Sequence, residues 1–260
     1  MASNDRSRAA TALDPVRMIA DARRALFTMV GVLAAIWLIQ LVNWMDDYDL
    51  GRRFGVVPQD PSRLPNIVTA PFLHWNWAHL EANSGPLFVF GFLAAYRGVK
   101  KFLGLTLLVA LTSELTAWVF DDPHSVGAGA SGVVFGYFGY VVLRGVFDRN
   151  LVDTLIGVVL GASFAYMVTS ALPGVAPGIS WSAHLGGLLG GLAGAWIFRS
   201  RAPRPAADPG AVAKAVAEPA AVAKTTVAET AVARPTTEPT GTAPNSPNAA
   251  LLKELDDLGL

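Results

Sequence analysis

Apolar residues in this chain gather into long runs instead of alternating with polar ones. Six such runs fall at residues 25–45, 79–96, 102–120, 131–147, 151–171 and 183–198. Each is close to the roughly 17–25 residues a helix needs to cross a bilayer. Several contain glycine or proline, which membrane helices tolerate better than soluble ones. One run alone reads equally well as a buried soluble helix; six in series, with short polar breaks, predict a polytopic membrane protein. The expected fold class is all-α, a bundle of six transmembrane helices over residues 25–198. A cytoplasmic N-terminal segment, 1–24, precedes it, and a tail, 199–260, follows.

Lysine and arginine in short loops orient such a bundle. Arg6, Arg8, Arg17, Arg23 and Arg24 precede the first run. Arg97, Lys100 and Lys101 follow the second, Arg144 and Arg149 close the fourth, and Arg199, Arg201 and Arg204 follow the sixth. Asp121-Asp122-Pro123 and residues 173–179, on the other side, contain no basic residue. The first loop is mixed, with Arg52, Arg53 and Arg63 set against aspartates. The bias predicts both termini in the cytoplasm of a multi-pass cell-membrane protein. Residues 203–249 are rich in Ala, Pro, Thr and Val and lack aromatics, a composition that cannot offset the entropy of ordering, so a disordered tail is expected.

Composition agrees with the pattern: 52% of residues are hydrophobic and 15% charged, against about 25% charged in soluble domains. The formal net charge is zero, so no overall field points to nucleic acid. Cysteine is absent, which removes disulfides, thiolate metal sites and cysteine nucleophiles. No metal cluster or nucleotide motif is evident, and no cofactor is expected. Asn43-Trp44-Met45-Asp46-Asp47 after the first run is no cleavage site, which predicts an anchor and not a removable signal.

The candidate chemistry gathers on one side. The topology puts His74, His79 and His184 at one membrane boundary, with His124 in a loop beside them, and polar groups at that depth usually face a cavity or a partner. Gly127-Ala128-Gly129-Ala130-Ser131-Gly132 leads into the fourth run. Its small residues allow close backbone approach, and a helix N-terminus there offers N–H groups to a developing oxyanion. A glycine-rich loop capped by Ser131 is the plain structural alternative. Ala183-His184-Leu185-Gly186-Gly187 opens the sixth run, where Gly186, Gly190 and Gly194, and Gly187, Gly191 and Ala195, recur every four residues. Such faces let helices pack closely. Gly132 and Gly136 supply a matching pair, and contact there would bring His184 beside Ser131. His79 and Asn83, one turn apart, could both donate to an anionic oxygen.

These motifs, in this order, resemble the rhomboid family of intramembrane serine proteases over residues 25–198. The matching residues are His79-Leu80-Glu81-Ala82-Asn83, Gly129-Ala130-Ser131-Gly132 and Ala183-His184-Leu185-Gly186-Gly187, with His74 and Arg144-Gly145 also fitting. The resemblance implies a Ser131–His184 dyad and an oxyanion hole from the Ser131 N–H, His79 and Asn83. His74, Gly129, Phe135 and Gly187 would support it. It also implies transmembrane protein substrates, a cavity open to the outer side, and peptide hydrolysis through an acyl-enzyme. Phe135 stands where many members have tyrosine, and the first loop lacks a Trp-Arg pair found in several bacterial members. Glu81 and Glu114 are unusual acids at membrane depth and are expected to hydrogen-bond to neighbouring backbone or hydroxyls. A catalytically inactive rhomboid-like adaptor is the alternative; a transporter fits less well, because the histidines cluster on one side and no internal repeat is evident.

Overall fold

The computed structural model describes residues 15–174 and 178–200. The expected tail and the first fourteen residues lie outside the described residues. Regular structure is helical throughout this range. α1 spans Pro15–Met45, α2 Asp49–Phe54, α3 Trp77–Ala95, α4 Val99–Phe120, α5 Ser131–Asp148, α6 Leu151–Ser163, α7 Tyr166–Thr169 and α8 Trp181–Ile197. Two 3₁₀ segments, Pro61–Val68 and Ala70–Phe72, lie in the first loop.

Side-chain caps set several of the helix starts. Asn76, Asn150 and Ser180 accept backbone N–H groups in the first turns of α3, α6 and α8, satisfying donors that a helix start leaves free. α5 is buried almost all round, including Val133 to Val141, which makes it the central helix. α8, α6, α3 and α4 pack around it, and α4 also packs on α8. Large apolar side chains face outward on the surrounding helices, among them Phe27, Leu38, Leu103, Val158 and Trp196. Contiguous apolar surface of that kind is rare on soluble monomers.

Two boundaries differ from the sequence reading. α1 begins ten residues before the expected 25, because its polar first turns remain helical; Asp21 and Arg24 pair across one turn at 2.6 Å. The run 151–171 is not one helix. It breaks after Ser163, where Phe164 turns its ring edge-on to Phe90 at 5.0 Å, and resumes as the single turn α7. By length and composition, α1 and α4 are apolar enough to cross a membrane, and α6 is a shorter apolar helix. Helices therefore occur at all six expected places, but the count of six spans does not follow from their lengths.

One end of the bundle is closed by buried charge. Arg144, only 2% exposed, donates to the Leu93 carbonyl and, at 3.1 Å, to Asp153. Asp153 also takes Arg97, which reaches Asp148 at 3.4 Å. Two cations and two anions thus neutralise one another and join α3, α5 and α6. At the other end the first loop forms an ordered layer. Asn66 Nδ2 donates to the carbonyls of Arg53 and Gly55, the Thr69 hydroxyl to Phe54, and Trp118 Nε1 to the Asp60 carbonyl.

Candidate active site

The glycine-rich approach to α5 is held from the first loop. Val56 and Gly127 exchange both backbone hydrogen bonds at 2.8 Å, and the Gly129 N–H donates to the Ala70 carbonyl at 3.1 Å. The Ala130 N–H donates to His74 Nε2 at 3.4 Å. An accepting Nε2 leaves the His74 proton on Nδ1. Gly129 has φ +147, and a Cβ there would lie 2.7 Å from His79 Cε1, so this position needs glycine twice over. His74 and His79 meet edge to face, with ring centres 5.0 Å apart.

His74 is itself positioned by a residue the sequence reading did not single out. Asn43, fully buried on α1, donates from Nδ2 to the His74 carbonyl at 2.9 Å and accepts the Gly51 N–H at 3.1 Å. It ties α1, α2 and the turn before α3 together. The signal was present: Gln40 and Asn43 are polar residues one turn apart inside an apolar run. On α3, the His79 N–H donates to Asn76 Oδ1 at 2.7 Å. One turn on, Asn83 is buried, and its Nδ2 has no hydrogen-bond partner among the described residues.

His184 is the fourth residue of α8 and only 5% exposed. Its Nδ1 lies 3.0 Å from the Ser170 carbonyl. A carbonyl can only accept, so Nδ1 carries the proton and Nε2 is left as an acceptor. Phe135 stacks on the imidazole, ring centres 4.1 Å apart and planes within 10°. The ring that replaces tyrosine therefore still covers the histidine.

The backbones of α5 and α8 touch. A Cβ at Gly187 would overlap the Gly132 carbonyl oxygen, and one at Gly191 would overlap that of Gly136. A Cβ at Gly132 would lie 3.1 Å from the Ala183 carbonyl oxygen. Ser131 and His184 flank this crossing, next to Gly132 and Ala183 respectively. They share a junction without a hydrogen bond between them; such bonds are often long before substrate binds. Ser131 and His79 are partly exposed, whereas Asn83 and His184 are buried.

Three acids and one histidine complete the surroundings. Glu114 is buried and accepts from the Ser113 hydroxyl at 3.3 Å, in the manner expected. Glu81 departs from expectation: it points out of the bundle, exposed and without a hydrogen bond among the described residues. His124 lies on the exposed loop, where its backbone N–H donates to Asp122, and takes no part in the site. Asp121, at the end of α4, accepts the hydroxyl of Ser182. Among the described residues, no group of three His, Asp or Glu side chains could hold a metal ion.

The bundle thus sets a serine at a helix start, a buried histidine on the touching helix and a His/Asn pair on α3 at one end. Residues 61–201 match the Rhomboid domain. The chain belongs to the rhomboid family. It is 30% identical over 177 residues to an uncharacterized protein of Mycobacterium tuberculosis, covering 65% of this chain and 73% of that one. It is 32% identical over 143 residues to Rhomboid-like protein 11, chloroplastic, of Arabidopsis thaliana, covering 50% and 51%. With Rhomboid protease GlpG of Haemophilus influenzae the identity is 26% over 175 residues, covering 63% and 85%.

Proposed function

We propose that this chain is an intramembrane serine endopeptidase, with Ser131 as nucleophile and His184 as general base. The observation that carries the reading is the contact of α5 and α8 at Gly132 and Gly187, beside a histidine whose Nδ1 is committed to the Ser170 carbonyl. That leaves Nε2 to accept the Ser131 proton as Oγ attacks the scissile carbonyl. The oxyanion would accept from the Ser131 N–H at the start of α5, from the His79 side chain and from Asn83 Nδ2. That Nδ2 donor is buried and unpartnered, which suits a group reserved for charge that appears only in the transition state. His184 then returns the proton to the leaving amine, and a water activated by the same nitrogen hydrolyses the acyl-enzyme.

In this reading α1, α3, α4, α5, α6 with α7, and α8 cross the bilayer. Both termini are cytoplasmic, by the loop-charge bias, and the site opens to the outer side. Substrates are transmembrane proteins, as the family resemblance implies. Purified protein in liposomes should cleave a model single-span substrate, and a fluorophosphonate should label it. Ser131→Ala and His184→Ala should each lower cleavage by about 10⁴-fold or more while the protein stays folded. Cleavage at the wild-type rate by either variant would overturn the assignment. Substrate capture without cleavage or labelling by the wild type would favour the inactive adaptor.

A further inference from the structure

The small-residue faces that let α8 sit close to its neighbours set its position along them only coarsely. On α4, Thr116 faces Gly186 and Thr112 faces Gly190. On α5, Gly132 faces Gly187 and Gly136 faces Gly191. Both patterns repeat every four residues. A slide of α8 by a whole repeat, about 6 Å, is blocked, because it would bring Ala195 against Gly136, where a Cβ overlaps the carbonyl oxygen; glycines carry no side chain to interlock, however, so shifts of about 1 Å meet little resistance. A buried polar contact at one place is a device that pins paired helices within such freedom.

That contact is present where α4 ends and α8 begins. Asp121 follows the last residue of α4, and its carboxylate accepts the hydroxyl of Ser182, which is fully buried. The Ser182 hydroxyl lies 3.1 Å from that of Ser180, which accepts the Ala183 N–H at 3.0 Å as the cap of α8. The His184 N–H donates to the Ser180 carbonyl at 3.2 Å. A chain of hydrogen bonds therefore runs from Asp121 into the turn that carries the histidine.

We propose that Asp121, acting through Ser182, is the positioning residue that fixes the final axial position of the start of α8 and with it the depth at which His184 meets Ser131. This rests on the protease reading. Asp121 touches no reacting atom; it acts by holding the base in place, and misplacement of about 1 Å is enough to cost on the order of 10²-fold in rate.

The test compares Asp121→Ala, Ser182→Ala, their double variant and Asp121→Asn in liposomes with a fluorogenic single-span substrate. Each alanine variant should lower kcat at least tenfold, with KM within twofold of wild type. The double variant should be no slower than the slower single. Asp121→Asn should keep wild-type kcat, because its amide oxygen accepts the same hydroxyl. Multiplicative losses in the double variant, or an Asp121→Asn as slow as Asp121→Ala, would overturn the proposal.

A second measurement does not need activity. The natural chain has no cysteine, so Phe120→Cys with Trp181→Cys, in place of rings whose centres lie 6.4 Å apart across this junction, reports how the start of α8 seats on the end of α4 through a short thiol crosslinker. Crosslinking should fall in Asp121→Ala and return in Asp121→Asn; equal crosslinking in all backgrounds sinks the proposal. A wild type that crosslinks as expected but neither cleaves nor labels would fail the protease reading alone.

Discussion

Gly129→Ala tests the geometry ahead of Ser131 most directly. The substitution meets two costs. At φ +147 an L side chain enters a region occupied almost only by glycine, at about 1–3 kcal/mol. The new Cβ would also lie 2.7 Å from His79 Cε1 and 2.9 Å from Nε2, where ordinary contact begins at 3.4 Å. The ring must therefore retreat by roughly 0.7 Å, or the loop must give by as much. Either movement displaces a proposed oxyanion donor by most of the ~1 Å that costs on the order of 10²-fold. We expect kcat/KM to fall about 10–100-fold, with a stability loss of roughly 1–3 kcal/mol.

Gly127→Ala is the matched control two residues away. Its Cβ would find nothing nearer than the Val56 carbonyl oxygen at 3.8 Å, and its φ is not positive, so activity and melting temperature should stay near wild type. The assay is cleavage of the single-span substrate beside a thermal melt of each variant. A double-mutant cycle with His79→Ala separates the routes: if Gly129 acts through His79, the loss should shrink sharply once the imidazole is gone. A Gly129→Ala protein with wild-type cleavage and melting, or a Gly127→Ala protein equally impaired, would refute the reasoning.

Three further outcomes are expected. Phe135→Ala removes the ring stacked on His184 and should lower kcat roughly tenfold with little change in KM, whereas Phe135→Tyr should stay near wild type in the same cleavage assay. Asp153→Ala strands the buried Arg144 and should destabilise by about 3–5 kcal/mol in thermal melts, with Arg144→Met in the same chain recovering part of the loss. The hydroxyl and N–H of Ser62 hold the Asp60 carboxyl below the usual aspartate range, so its contribution is present above the unfolded value and lost as pH falls through the folded one. The first loop should therefore loosen in acid below that range, measured by hydrogen exchange over residues 56–69, and Asp60→Ala, which removes the acceptor, should be looser already at neutral pH.

The helices were legible wherever burial in apolar surroundings alone decides a residue. The runs at 102–120 and 131–147 begin and end within three residues of α4 and α5, because their flanks switch abruptly to charge or glycine. The break in 151–171 was not legible. Nothing between Ser163 and Tyr166 is a helix breaker by local preference, and the interruption coincides with the packing of Phe164 on Phe90, a contact between distant segments. The first loop was opaque for a related reason. Its short helix and 3₁₀ turns are held by side chains such as Asn66 and Thr69 bonding to carbonyls more than ten residues away.

The same division runs through the candidate site. Ser131, His184, His79 and Asn83 could be chosen from residue type and helical spacing, since each argument was local. What orients them could not. The His184 tautomer depends on a backbone carbonyl at Ser170, and a carbonyl has no residue type to recognise. His74 is aimed by Asn43, thirty-one positions earlier, and α8 is keyed by Asp121, sixty-one positions before Ser182. A candidate site whose groups come from three helices needs its precision from such long-range polar contacts, because glycine faces provide closeness and only a coarse register. Of the acids near the site, Asp121 thus holds the more consequential place: it anchors the turn that carries the proposed base, while the Glu114 carboxyl, among the described residues, bonds its neighbour Ser113 alone and Glu81 turns outward.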